Sequence, residues 1–238
     1  MKALLASLLA LLLIPPAAGA AGLADYRETL TLAPDGSAAV HLSATLSDAT
    51  GADVALPFGH ASARALAATA NGVAVPAELV HQGALTRLVL HLPQPPAGSV
   101  ALAASFTAEK FLDWQKARSP RGVIAIGYAF LDTSPLRIAD FQARLVLPEG
   151  YIMNGITRSL PAATGEEVVP PYTFATEAGR LTVDLRAPSL APGQGASIAF
   201  GVRPAGRAAW PAVAGALAVA LAGLWVKWRA APSARATG

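Results

Sequence analysis

Hydrophobic and polar positions alternate along much of this chain. In "SAAVHLSATL", Val40, Leu42, Ala44 and Leu46 stand against His41, Ser43 and Thr45. A period of two sends one set to a buried face and the other to water, as in a strand with one wet side. Leu88, Leu90 and Leu92 alternate in the same way, as do Val100, Leu102, Ala104 and Phe106. Residues 123–131 form a strongly apolar run, and 138–147 return after the turn composition Asp132-Thr133-Ser134-Pro135. Pro34-Asp35-Gly36 divides 26–32 from 37–46 and marks a hairpin. Asn71-Gly72, between two apolar runs, is a still stronger hairpin signal. No stretch between 25 and 203 carries a long helical period. Short strands with many turns predict an all-β fold, here a mostly antiparallel, Ig-like β-sandwich.

The chain also echoes itself. "DYRETLTLAPDG" at 25–36 is matched by "DFQARLVLPEG" at 140–150, each an acid and an aromatic followed by spaced leucines and Pro-acid-Gly. "TRLVLHLPQPPAGSVALAASF" at 86–106 resembles "GRLTVDLRAPSLAPGQGASIAF" at 179–200. The echoes predict two tandem sandwich modules, 25–107 and 122–203, joined by a connector at 108–121. Reuse of turn chemistry in a single meander is the alternative. The strand pattern of the second module, "VIAIGYAFLDTSPLRIADFQARLVLPEGY", resembles exported sandwich modules of envelope proteins. It is also similar to the accessory sandwich at the front of some zinc aminopeptidases. The likeness is one of strand pattern and implies no catalytic residue.

The two ends differ from this core. Lys2 precedes "ALLASLLALLLI", Pro15-Pro16 and the small residues Ala18-Gly19-Ala20. Such an order predicts a signal peptide at 1–20, cleaved after Ala20 or as late as Ala24. Residues 208–226, "AAWPAVAGALAVALAGLWV", hold no charge. A helix of that length rises about 28 Å, close to a hydrocarbon core of ~30 Å. Trp210 and Trp225 sit at headgroup level and Lys227 and Arg229 close the span. The expectation is one transmembrane helix, an exported N-terminal region and a cytoplasmic tail at 227–238. Ala214, Ala218 and Ala222 form a small-residue stripe that would let a second helix approach in the membrane.

Charge changes its meaning once the ends are set apart. The chain carries 18 bases and 15 acids. All the acids lie between Asp25 and Asp184, while Lys2, Arg203, Arg207, Lys227, Arg229 and Arg235 lie outside the exported core. That region is therefore acidic, and the basic balance of the whole chain is no argument for nucleic acid. There is no cysteine, which excludes disulfides, zinc-thiolate sites, iron–sulfur clusters and cysteine nucleophiles.

Catalytic chemistry leaves no motif. His41, His60, His81 and His91 are too far apart in sequence for helical ligand pairs, and H-E-x-x-H is missing. No metal or cofactor is expected. There is no G-x-S-x-G elbow. Glu166 and Glu167 are adjacent and read as solvated.

The most unusual stretch is "AEKFLDWQKARSPRG" at 108–122. It gathers Phe111, Lys116, Arg118, Arg121 and Trp114, the only tryptophan between 25 and 203. Phe111, Trp114 and Arg118 fit one face of a short helix. Aromatic and arginine side chains concentrate at binding hot spots, so these five residues are the candidate partner-binding patch. A linker whose rings pack back on the sheets is the competing reading. The function expected is a single-pass envelope protein whose non-catalytic outer region binds or scaffolds a partner. An accessory subunit of a hydrolase, or a hydrolase without a recognisable motif, is one alternative. A glycan- or ligand-binding sensor is another, although a glycan platform of aromatic rings has few candidates here.

Overall fold

The computed structural model describes residues 21–48, 51–60, 62–82, 85–95, 98–160 and 171–206. The expected signal peptide, the transmembrane span with Ala214, Ala218 and Ala222, and the tail lie outside them, as do Glu166 and Glu167. The chain divides into two compact units, Met1–Arg203 and Pro204–Gly238, and the fold below is that of the first. Among the described residues there is no helix long and apolar enough to cross a membrane.

The described residues are all-β. The strands are β1 (Gly22–Leu32), β2 (Ala38–Ser47), β3 (Asp53–Pro57), β4 (Arg64–Ala70), β5 (Val73–Val75), β6 (Ala77–Gln82), β7 (Leu85–His91) and β8 (Val100–Ala108). There follow β9 (Ile124–Leu131), β10 (Arg137–Ile138), β11 (Phe141–Glu149), β12 (Tyr151–Leu160), β13 (Tyr172–Glu177), β14 (Arg180–Ala187) and β15 (Gly195–Pro204). Nine of them build one large sheet in the order β13-β14-β11-β1-β2-β8-β4-β5, with β10 also on β1. Two three-stranded sheets, β12-β15-β9 and β3-β7-β6, complete the set.

The alternation seen in the sequence is the burial pattern. Val40, Leu42, Ala44 and Leu46 are buried while Ala39, His41 and Ser43 face water. Leu88 and Leu90 are buried, and so are Val100, Leu102, Ala104 and Phe106. Along β9 burial strictly alternates, with Ile124, Ile126, Tyr128 and Phe130 inside. Each large apolar side chain so removed from water contributes about 1.5–3 kcal/mol.

The opening echo has a spatial meaning. Its two copies are β1 and β11, which lie side by side in parallel, Tyr26 opposite Phe141 and Leu30 opposite Leu145. The sheet is therefore mixed and not purely antiparallel. The pairings of β1 with β10 and β11 are the ladders that join 22–108 to the later strands; each three-stranded sheet is drawn from one side of that division. The halves nevertheless share a core. Tyr26 packs on Phe130 at 5.1 Å and stacks on Phe141 at 5.9 Å, and Phe130 meets Phe141 at 4.3 Å.

The second echo has no such equivalence. Arg87-Leu88 lies on β7 in a three-stranded sheet, whereas Arg180-Leu181 lies on β14 in the large one. Likewise β8 belongs to the large sheet and β15 to a small one. Pro34-Asp35-Gly36 does turn β1 into its hairpin partner β2. Asp35 accepts from the Ser37 hydroxyl at 2.7 Å and the Ser37 amide at 2.9 Å, which holds its carboxyl below the usual range. In the second copy Pro148 and Glu149 stay in β11, and Gly150 carries the chain to another sheet.

Candidate functional site

Polar chemistry collects at three places in this framework. The first is internal. Glu28 lies on β1 between Tyr26 and Leu30, on the core phase of the strand, and is only 3% exposed. One carboxylate oxygen meets His60 Nε2 at 2.5 Å, and the other accepts from the Tyr128 hydroxyl at 2.5 Å. His60 follows β3, and Tyr128 is on β9, so one carboxylate binds groups from both sides of the chain. Burial, then the Glu28 carboxylate, pushes the Tyr128 phenol well above its ordinary value. Tyr26 is raised by burial and by Glu28 and Asp132, and donates to the Pro57 carbonyl at 3.1 Å. Phe58, Phe106 and Phe111 ring the His60 imidazole. All three members are under 10% exposed, and the network ties strands from both sides of the chain into one core.

Asp132 extends this internal polarity. Its Oδ1 accepts from the Ser134 amide at 3.0 Å and hydroxyl at 2.7 Å, shaping the turn after β9. Its Oδ2 is buried with no partner. Burial raises the carboxyl above its ordinary value, partly offset by Ser134. The turn also reaches across, because Arg87 donates to the Thr133 carbonyl at 2.8 Å.

The second place is the connector. Instead of a helix it forms short turns, the central one held by Asp113 Oδ1, which accepts from the amides of Gln115 and Lys116 at 3.1 Å each. Those bonds lower its carboxyl. Trp114 is half-buried, stacked on Tyr151 at 5.0 Å, with its indole N–H donated to the Ala33 carbonyl at 3.1 Å. Phe111 is also half-buried and packs on the core. Lys116, Arg118 and Arg121 are exposed. The five candidate residues thus separate into two roles: the rings fasten the connector to its own fold, and the bases face water. Gly36, at φ 87°, lies where a Cβ would collide with the Leu112 carbonyl oxygen, so the turn of the first hairpin and the connector fit closely.

The third place is the outer face of the large sheet. Arg27, Thr29, His41, Ser43, Thr69 and Ser105 border a depression of about 410 Å³, with Leu42, Ala67, Ala103 and Ala104 also lining it. Elsewhere His91 bonds Asp53 at 2.8 Å, which raises its imidazole, and His81 bonds Thr86. Among the described residues no three His, Cys, Asp or Glu side chains gather as metal ligands.

Sequence reading placed His41 and His91 correctly on wet positions but missed Glu28 and His60. The signal for Glu28 was present: Tyr26, Glu28, Leu30 and Leu32 share one phase, and an acid on an apolar phase needs a buried partner. His60 follows the end of β3, where periodicity carries no information.

No protein-family model matches the chain, and no curated protein matches it. Among solved structures it is similar to native yeast LTA4 hydrolase, with TM-score 0.49 and 11% identity over 76% of this chain and 29% of that one. It is also similar to an M1 zinc metallopeptidase from Deinococcus radiodurans, with TM-score 0.43 and 14% identity over 76% of this chain and 42% of that one. The chain thus spans less than half the length of either, and at these scores the likeness assigns no activity.

Proposed function

We propose that this chain is a single-pass, membrane-anchored envelope protein whose extracytoplasmic region, a tandem Ig-like β-sandwich without catalytic activity, binds or scaffolds a partner protein. The anchor is the charge-free span 208–226, the exported side is set by the leader at 1–20, and the C-terminus is cytoplasmic. What supports partner binding is the connector. Trp114 is fixed by a hydrogen bond and a stack, while Lys116, 3.4 Å from Asp113, keeps 88% of its side chain exposed and Arg118 and Arg121 are exposed too. A turn held this firmly presents its bases with little further loss of freedom on binding, which favours association with an acidic surface.

Reversing the three charges together, Lys116→Glu, Arg118→Glu and Arg121→Glu, tests this in full-length protein crosslinked in native membranes. Recovery of the partner should fall while stability stays within about 0.5 kcal/mol per surface site. Unchanged recovery rejects the connector as the docking element. For topology, a cysteine at Ser99 should react with an impermeant thiol reagent in intact cells and one at Ser233 should not. The opposite pattern rejects the orientation.

A further inference from the structure

The depression on the outer face of the large sheet is organised by register. Arg27, Ser43, Ala103 and Thr69 form one cross-strand row over β1, β2, β8 and β4. Thr29, His41, Ser105 and Ala67 form the next. Of the ten residues that line the depression six carry a base, an imidazole or a hydroxyl, four are Leu42, Ala67, Ala103 and Ala104, and none is an acid. This composition runs against the acidic balance of the surrounding region.

The charges are not equivalent. Arg144 is held by Asp184 at 2.7 Å and Arg64 by Glu109 at 3.1 Å. Arg27 reaches Asp140 only at 3.9 Å and remains 55% exposed, so its guanidinium keeps donors to spare. With His41 diagonally beside it, it makes one corner cationic. From that corner hydroxyls and alanines extend across three strand spacings, about 14 Å. A bare anion would use only the corner. Ala67 and Ala103 add no bulk above the sheet and let the apolar face of a ring approach it, while the base, imidazole and hydroxyls around them supply charge and hydrogen bonds.

We propose that this depression binds a short acidic oligosaccharide, with a carboxylate on Arg27 and His41 and sugar hydroxyls on Thr29, Ser43, Ser105 and Thr69. The ligand and the residues differ from those of the connector, so this site stands or falls independently of partner docking there.

Isothermal titration of the full-length protein in mild detergent with trigalacturonic acid provides the test. Saturable binding is expected, with maltotriose as a neutral trimer binding at least about tenfold more weakly. Arg27→Gln should weaken binding about tenfold or more, the cost of a lost charge-assisted bond. Ala103→Trp should abolish it by filling the floor. Arg137→Gln, at an exposed arginine outside the depression, should leave it unchanged. The site is overturned by any of four results: no saturable binding, equal binding of maltotriose, full binding by Ala103→Trp, or equal weakening by Arg137→Gln and Arg27→Gln. Both key substitutions are on the wet face, and a melting curve for each confirms that the variant is folded.

Discussion

Glu28→Ala should be among the most damaging single changes in this protein. The substitution removes the acceptor of the Tyr128 hydroxyl and the partner of His60 Nε2, both at 2.5 Å. It leaves two polar groups inside the core, Tyr128 at 5% and His60 at 9% exposure. A buried group deprived of its partner costs about 1–3 kcal/mol. Two such groups are orphaned here, so the expected cost is about 4 kcal/mol, a large share of a typical stability of ~5–15 kcal/mol. Urea unfolding of the full-length chain in mild detergent, followed by near-ultraviolet circular dichroism, measures it. Glu28→Gln should cost less, because the amide still accepts from Tyr128. Tyr128→Phe should cost about 1.5–3 kcal/mol, as a hydrogen bond to a charged group does. Combined with Glu28→Ala it should cost less than the sum of the two, because the orphaned hydroxyl is gone. A Glu28→Ala loss below about 1 kcal/mol, the level of an average substitution, would refute the idea that this carboxylate ties the core together.

Two further predictions concern neighbouring features. The folded protein holds the Asp132 proton more tightly than the unfolded chain, so this group's contribution to stability falls as pH rises from the ordinary carboxyl value of about 3.9 through the raised folded one. Asp132→Asn should flatten that slope and be at least as stable as the parent at neutral pH, and an unaltered slope in a pH series of melts would count against it. At the connector, Gly36→Ala should cost more than about 1 kcal/mol, since the backbone is left-handed there and the new methyl meets Leu112. Trp114→Ala should cost about 2–3 kcal/mol, short of the ~3–5 kcal/mol of a fully buried ring; losses below ~0.5 kcal/mol would show that the connector is not fastened as described.

How much of this could be read in advance depended on the range of the interaction. Alternation at 40–46, 88–92 and 100–106 records which side of a strand meets water, a local property, and the strands lie where it put them. Asn71 and Gly72 both take positive φ, at 48° and 78°, as the two-residue hairpin signal demands. Partner choice is not local. The match of Arg87-Leu88 with Arg180-Leu181 suggested equivalent strands, yet β7 pairs with β3 and β6 in a small sheet while β14 pairs with β11 and β13 in the large one. The connector also misled, because Asp113 caps its own turn and the sheets claim Phe111 and Trp114 before a helix can extend. The depression on the outer face was illegible for the same reason: its ten residues come from four strands and meet only through register.

The parallel ladder of β1 and β11 has a consequence for how the chain reaches this state. A hairpin can close as soon as its second strand exists, but parallel neighbours need a long intervening crossover. β1 finds β2 at once, yet its other edge has to wait for residues synthesised long after, and Glu28 waits for a tyrosine 100 positions away. Contacts of such separation are the slow ones. During emergence the first eight strands hold an open strand edge, the geometry most prone to pairing with a stranger. In a crowded compartment the window between the appearance of β1 and that of β11 is when this protein is most exposed to misassembly.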